Sequence, residues 1–491
     1  MFSGTNCNAF NVAFTSSGVS AFTAMGSPKR SAICLQQVSI TQTLQVNESG
    51  KVIVLSFQAN AGQEAANWRV CRPASLQVER WVSESYLDYP TQRPAMPRMT
   101  RLPAEVARLF VPLKPYFRYR HYLVLCWLVV AHLVCFEKAT LQALAGHTSA
   151  RVAAWHLHRL LAAGCWRWSI VLAWLVEQAL SAFPPPHDGV LYLVADSTLK
   201  GKRTQKNPWA KSWRLNEYEP YTFGLHAVVL LAQWEVYRIP LAFRLIRRKG
   251  NPGYQSEQVL FRQMLQELVL PRWCSKVIVV ADAAYASRQN LPAIQARHWG
   301  FVIAFPRSWK FADGHSLRDL MAHLPRARYR KVRLPLVGSR ARYRVFWTFA
   351  KRTALREVGD VTVVLSKRRR HDSPKNTKVL VTNLPQATAH QTTAIYLRRW
   401  PVELFFKEWQ GVVGVGQHQV TKDAARVERS VAVTLMAYLV LLRVRAQDIR
   451  PGQPWSAFAL KHHFAWEVSL QHFKRVAQQE ACKQMKLRLA A

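Results

Sequence analysis

A chain of 491 residues has room for about two to four domains. With 49% apolar and 11% aromatic residues it can bury large cores, which excludes global disorder. Its 68 lysines and arginines against 28 aspartates and glutamates leave a net charge of +40, which points to a polyanionic partner, above all nucleic acid; the 18 tryptophans and long apolar segments speak against a small ribosomal protein.

Residues 1–98 stand apart. They are rich in Ser, Thr, Asn, Gln, Ala and Val and poor in Lys, with weak alternation in Lys51–Phe57. No chemistry is legible in them. The expectation is a start assigned too far upstream, with translation beginning near Met96 or Met99, or else a small accessory domain. The first residues are polar, with no basic segment before an apolar run, so no signal peptide is expected. The eight cysteines form no CxxC pair and no zinc-spaced cluster, and read as thiols in a reducing cytoplasm.

Residues 99–188 read as helical. Tyr122–Phe136 is strongly apolar, but it is short for a span and contains His132, so a buried core helix with no membrane partner is expected. Glu137–Leu161 has the outline of a helix-turn-helix. Leu141, Leu144 and Ala145 pack one short helix. Gly146-His147-Thr148 turns, with Thr148 or Ser149 as N-cap, and Val152, Trp155 and Leu160 line a second helix. Arg151, His156, His158 and Arg159 would then face DNA. A plain helical hairpin fits the same pattern. Pro184-Pro185-Pro186 ends the unit.

From Gly189 the chain becomes strand-rich. Val190–Ala195 is a short apolar run that reads as a buried strand ending at Asp196. Leu199–Leu215 follows with Lys200, Lys202, Arg203, Lys206, Lys211 and Arg214, interleaved with Trp209 and Trp213. That mixture suits a phosphate backbone and unstacked bases, and equally a solvated basic loop. Thr222–Ala232 and Val236–Leu245 are expected as antiparallel strands, and Ser256–Leu270 as a helix crossing back. Val277–Ala281 then forms a second buried strand ending at Asp282, before a helix near Gln289–Arg297 and a strand at Phe301–Phe305. Leu334–Leu384 alternates in several candidate strands, among them Tyr343–Trp347 and Val361–Leu365. Lys367-Arg368-Arg369-Arg370-His371 falls at an expected hairpin tip, where a charge run is either a solvated turn or a DNA contact.

The stretch Tyr396–Gln410, YLRRWPVELFFKEWQ, sets Glu403 among Trp400, Leu404, Phe405, Phe406 and Trp409. On one helix, Tyr396, Arg399 and Glu403 share a face, while the apolar residues fix it to a core. An amphipathic helix with an ordinary Arg–Glu pair fits as well. The two aspartates argue for more. Three carboxylates delivered by two strand ends and a helix repel one another unless a cation joins them, and hard oxygen ligands suit Mg²⁺ or Mn²⁺. Two such ions clamp the attacking and leaving oxygens of a phosphodiester. Gly411–Gly416 then breaks the helix, Val431–Val444 is an apolar helix over the sheet, and the remainder is basic and helical.

Asp196, Asp282 and Glu403 resemble the Asp-Asp-Glu triad of bacterial insertion-sequence transposases, and the helix resembles their Tyr-x2-Arg-x3-Glu-x6-Lys signature at Tyr396, Arg399 and Glu403. Val379–Pro385 is similar to the segment that precedes that helix. The likeness runs from about Leu191 to about Val420. Gln410 departs from it, since the signature has Lys there; Lys407 substitutes, or the phosphate grip is weaker. The resemblance implies an α/β fold: a ribonuclease H-like catalytic core with a β-rich insertion, preceded by a helical DNA-binding region. It implies two Mg²⁺ or Mn²⁺ ions on Asp196, Asp282 and Glu403. DNA would be held by Tyr396, Arg399 and Lys407, by Lys200, Lys202 and Arg203, and by Arg368 and Arg369, with Trp347 stacking on a flipped base or simply filling the core. The implied partners are double-stranded DNA, both terminal inverted repeats and target, held by a homodimer in a synaptic complex in the bacterial nucleoid. The implied activity is cut-and-paste transposition. A nuclease without strand transfer, an inactive repeat-binding remnant and a membrane-surface protein are the alternatives. The expected division is 1–98, a leader; 99–188, the helical region; 189–310 with 386–445, the core; 311–385, the insertion; and 446–491, a basic tail.

Overall fold

The computed structural model describes residues 99–490, apart from 164–165, 203–206, 208, 214–219, 337–338 and 419–422, together with three strands nearer the N-terminus. Arg203, Lys206, Arg214 and most of the leader therefore lie outside the described residues. The chain divides into Met1–Pro94 and Ala95–Ala491. In the first unit, β1 (Val12–Thr15), β2 (Ile40–Val46) and β3 (Val52–Ala59) pair antiparallel in chain order.

The second unit begins with helices α1 (Ala104–Phe110), α2 (Tyr119–Val134), α3 (Leu141–Gly146), α4 (Ala154–Ala163) and α5 (Trp168–Leu180). α2 is buried almost all round, as its uninterrupted apolar sequence requires. Among the described residues no helix is long and apolar enough to cross a membrane. The helix-turn-helix outline is changed in two respects. Thr148 caps nothing: its hydroxyl lies 2.8 Å from the carbonyl oxygens of both Ala145 and Val152, and its one proton, given to either, stabilises a longer turn. The second helix consequently starts at Ala154, where the His156 ring accepts from the Ala153 amide at 3.1 Å. Val152, Leu157 and Leu160 are buried as the pattern requires, but Trp155 is exposed, stacked on His156 and on the same side as Arg151 and Arg159.

β4 (Val190–Gly201), β6 (Thr222–Trp234) and β7 (Tyr237–Leu245) form an antiparallel meander, with the short β5 (Ala210–Trp213) on the far side of β6. After α6 (Glu257–Glu267), β8 (Lys276–Ala281) pairs parallel to β4; after α7 (Asn290–Gln295), β9 (Gly300–Ala304) pairs parallel to β8. Three antiparallel strands followed by two parallel ones, in the order β7-β6-β4-β8-β9, make a ribonuclease H-like core. The apolar run in β6 is buried on both faces, as expected of a central strand covered by helices on each side.

After α8 (Leu317–His323), the strands β10 (Arg330–Leu336), β11 (Ser339–Leu355), β12 (Gly359–Lys367) and β13 (Lys378–Thr382) follow in order. They do not form a sheet of their own. β13 pairs with β9, so the insertion extends the core into one ten-stranded sheet. The helices α9 (Ala389–Leu397), α10 (Trp400–Gly411), α11 (Ala424–Val444) and α12 (Ala457–Ala490) complete the chain. α11 is buried at every position from Ser430 to Leu442 and packs against α2, α5, β7 and α12, so one apolar core joins the helices to the sheet.

One strand departs from its expected length. β4 runs on past Asp196. Its parallel ladder with β8 stops at Ala195 and Ala281, but its antiparallel ladder with β6 continues to Gly201 opposite Gly224. That continuation depends on Gly224, where a Cβ would lie 2.3 Å from the Lys200 carbonyl oxygen and 2.8 Å from its carbon. Backbone cannot yield as a side-chain tip does. Gly224→Ala should therefore destabilise the fold by roughly 1–3 kcal/mol in equilibrium urea unfolding. The neighbouring Gly201→Ala is the control: its Cβ meets only the Thr222 methyl at an ordinary 3.6 Å, and its stability should stay near that of the wild type.

Candidate active site

Asp196 and Asp282 stand side by side because the parallel ladder of β4 and β8 brings Ala195 opposite Ala281. Each follows its partnered alanine, at the carboxyl end of the parallel pair, where α/β sheets present functional groups. The Asp282 carboxylate accepts from the Ala284 amide at 2.9 Å and starts a short turn through Tyr285. The Asp196 carboxylate accepts from the Ser197 amide at 2.9 Å.

Glu403 arrives from the other side of the sequence. Tyr396–Gln410 is not one helix. The chain turns at Arg398 and Arg399 between α9 and α10, and Pro401, which has no N–H to give to the preceding turn, lies at the new helix start. Glu403 consequently falls in the first turn of α10, where a negative charge suits the helix dipole. Val402, Phe405, Phe406 and Trp409 anchor α10 in the core; Trp400 and Leu404 are exposed instead.

Arg399 joins the parts. Its guanidinium donates to Asp196 with one nitrogen and to Glu403 with another. The pair with Asp196 is mostly buried, at 17% and 13% side-chain exposure, while Glu403 is 33% exposed. Burial pushes the Asp196 carboxyl up to about 7; Arg399 works against that shift, and Asp282 and Glu403 add to it. Arg399 and the Ser197 amide favour the charged form of Asp196, and burial with the two neighbouring acids outweighs them.

Tyr396, on α9, is buried, and its hydroxyl accepts from Lys378 at 3.3 Å. Tyr396, Arg399, Arg368, Lys378, Arg344 and Trp400 line a cavity of about 250 Å³, so the insertion and the helix pair share one basic recess. A larger cavity of about 880 Å³ lies toward the opposite ends of β4 and β8, beside Val190 and Lys276, and touches none of the three carboxylates. Size alone does not mark the chemistry.

The remaining expected residues are dispersed. Lys200, four residues beyond Asp196 on β4, and Lys202, just past the end of that strand, pack on Gly416, whose φ of +72° opens the loop after α10. The Lys202 ammonium donates to the Gly416 carbonyl, and burial, with Lys200 and Lys138 nearby, lowers it to about 8. Lys407 is exposed on α10. Gln410 turns toward β4, and its amide donates to the Thr198 hydroxyl at 2.9 Å. Arg368 and Arg369 are exposed in the turn after β12; Trp347 is half-buried with the Arg370 guanidinium 5.2 Å from its ring centre.

Two acids near the site gave no signal in the sequence. Glu408, one turn past Glu403, accepts from Arg238 at 2.6 Å, from the Tyr438 hydroxyl at 2.7 Å and from the Ala457 amide at 2.9 Å, clamping α10 to β7, α11 and α12. Glu257, at the start of α6, lies against both aspartate-bearing strands. Neither belongs to a spaced motif, and both become visible only when distant elements meet.

Residues 193–440, about half of the chain, match the family described as the transposase DDE domain. The chain is a member of this transposase family. The matched region opens inside β4 and closes inside α11, so it spans all three carboxylates. Among solved structures, this transposase is similar to the cryo-EM structure of the piggyBac transposase synaptic complex with hairpin DNA, at 9% identity and a TM-score of 0.40, over 76% of this chain and 78% of that one. A search of curated proteins gives no match.

Proposed function

We propose that this protein is a cut-and-paste DNA transposase in which Asp196, Asp282 and Glu403 form a divalent-metal site for phosphodiester chemistry. The observation that carries the reading is Arg399, which ties carboxylates from β4 and α10 together beside Asp282. The donor set fits a hard cation: oxygen ligands only, with a mostly buried Asp196 whose charge is opposed by burial and by two neighbouring acids. Among the described residues no three acid, histidine or cysteine side chains are gathered closely enough to hold an ion, and Arg399 pairs with two of the three carboxylates.

In this reading Asp196 and Asp282 would jointly hold one Mg²⁺ or Mn²⁺ ion, and Glu403 would contribute to holding a second. Such ions, when bound, stabilise charge on the attacking and leaving oxygens of an in-line displacement. The protein supplies the positioning. Arg399, released from its carboxylates, grips a phosphate with a two-pronged fork, and Tyr396 adds one hydrogen bond from the same recess. Arg368 and Arg369 of the insertion, Lys407 of α10, and Lys200 and Lys202 along β4 neutralise backbone phosphates on either side. Water first attacks the phosphodiester at the element's end. The freed 3′-hydroxyl then attacks a second phosphodiester: its oxygen, losing its proton, bonds to that phosphorus, the attacked strand's own 3′-oxygen leaves and is protonated, and the protein forms no covalent bond to DNA.

Two DNA ends have to be joined, so a homodimer is part of the proposal. Trp466, Leu470 and Phe473 fall at helical spacing on α12 and are exposed, offering a surface for it. The test is incubation of the full chain with paired DNA ends carrying the element's terminal repeats, with Mg²⁺ and with EDTA. Metal-dependent strand-transfer product is expected. Cleavage without transfer would leave a nuclease. Binding without cleavage would favour a repeat-binding remnant, for which Gln410, committed to Thr198, is the supporting observation.

A further inference from the structure

Beneath the two aspartates lies a layer of polar side chains that the reaction above does not use. Glu257 opens α6, directly after its cap Ser256. An acid in a first helical turn is commonplace, and the dipole alone would account for it. Its contacts go further. The buried Tyr285 donates its hydroxyl to Glu257 at 2.6 Å, and Tyr285 is three residues beyond Asp282. Ser197, the residue after Asp196, is near enough to the same carboxylate to favour its charged form against burial. The hydrogen bond that ties Glu257 to an aspartate's neighbour is the one from Tyr285.

His226, on β6, has Nε2 at 2.9 Å from the Ser197 hydroxyl oxygen. Burial and Lys211 hold that ring at about 4, so it is neutral. The second residue of α6 repeats the clamp on the other side of the turn. Gln258 donates to the Ala284 carbonyl, Asn290 donates to Gln258 and, at 3.0 Å, to the Tyr285 carbonyl, and Arg262 holds Asn290 at 2.9 Å. The turn after Asp282 is thus fixed by α6 at two points, through Glu257 and Gln258, and at a third by Asn290 of α7, which α6 itself holds.

We propose that Glu257 is a positioning residue of the candidate metal site: through Tyr285 it fixes the turn that carries Asp282, and with it the place of Asp282 beside Asp196. The inference rests on the metal-site reading given above. A carboxylate that orients ligands without being one acts on metal affinity, and removing such a partner typically weakens binding by about 10- to 100-fold.

The test is direct Mn²⁺ titration of the metal-free full-length protein, followed by electron paramagnetic resonance, with no DNA and no turnover. Wild type, Glu257→Ala, Glu257→Gln, Tyr285→Phe and Asp282→Ala are compared, each with its melting midpoint in EDTA. Glu257→Ala is expected to weaken Mn²⁺ binding by about 10- to 100-fold, and Tyr285→Phe and Glu257→Gln to weaken it less. A purely structural role predicts lower melting midpoints with unchanged Mn²⁺ affinity, and that result overturns the proposal. Glu257→Gln and Tyr285→Phe are near-isosteric and carry the test if the alanine variant does not fold. If Asp282→Ala abolishes binding while the Glu257 and Tyr285 variants bind like wild type, the role of Glu257 alone is wrong. If Asp282→Ala also binds like wild type, the metal-site reading falls with it.

Discussion

Asp282→Ala should lower metal-dependent DNA cleavage by at least about a thousandfold, a barrier increase of ~4 kcal/mol, while binding of the same DNA in EDTA stays at the wild-type level. The choice of Asp282 rather than Asp196 is deliberate. Asp196 and Glu403 share Arg399, so removing either leaves a partly buried guanidinium short of a partner and mixes a folding defect into the result. Asp282 is half-buried, and its recorded hydrogen bond is local, from Ala284. Its loss should therefore be read in the chemistry and not in the fold. Cleavage rates in Mg²⁺, gel-shift affinity in EDTA and a melting curve, all on one preparation, separate the three quantities. Cleavage that survived in Asp282→Ala would remove the basis for a three-carboxylate site.

The second large effect is expected on stability. Glu408→Ala should cost about 3–5 kcal/mol in equilibrium unfolding, because it leaves Arg238 as an unpaired charge in the core. Arg238 is 6% exposed and Glu408 12%. The same carboxylate also satisfies Tyr438 and the first amide of α12, so one substitution orphans three donors on three elements. The Arg238 guanidinium lies 3.5 Å from the centre of the Trp455 ring, a stacking that keeps it in place and prevents escape to solvent. Glu408→Gln should cost less, since the amide oxygen can still accept from Arg238. A loss no greater for alanine than for an exposed control such as Glu480→Ala would contradict the account.

The difference between Glu403 and Glu408 shows what can be read in a sequence of this kind. Glu403 was legible because it sits at a fixed interval from Tyr396 and Arg399, and because Asp196 and Asp282 each follow an apolar run of strand length. Strand positions were legible too: apolar runs between turn residues mark β6, β7 and β9 within a residue or two, while their order in the sheet came from the family resemblance. Glu408 carries no such mark, since its partners come from positions 238, 438 and 457. Glu257 is hidden likewise in an ordinary amphipathic helix. The break at Arg398–Arg399 could have been drawn from Pro401, but helical spacing across Tyr396, Arg399 and Glu403 suggested continuity. Trp155 was assigned to a helix core on spacing alone; the shift of that helix to Ala154, set by the Thr148 turn, rotates it outward.

The union of insertion and core in a single sheet has a mechanical consequence. Backbone hydrogen bonds run without interruption from β10 to β6. Four inter-strand steps separate β12, next to Arg368, from β4, which bears Asp196, a span of roughly 19 Å at the spacing of neighbouring strands. The ladder is continuous across that span, so the strands act as a fixed gauge. In the proposed complex, DNA that met both the insertion and the carboxylates would have to fit the curvature the gauge dictates. The energy of fitting then falls on the nucleic acid, and sequences that bend or unstack easily at that interval are the ones the gauge would accept.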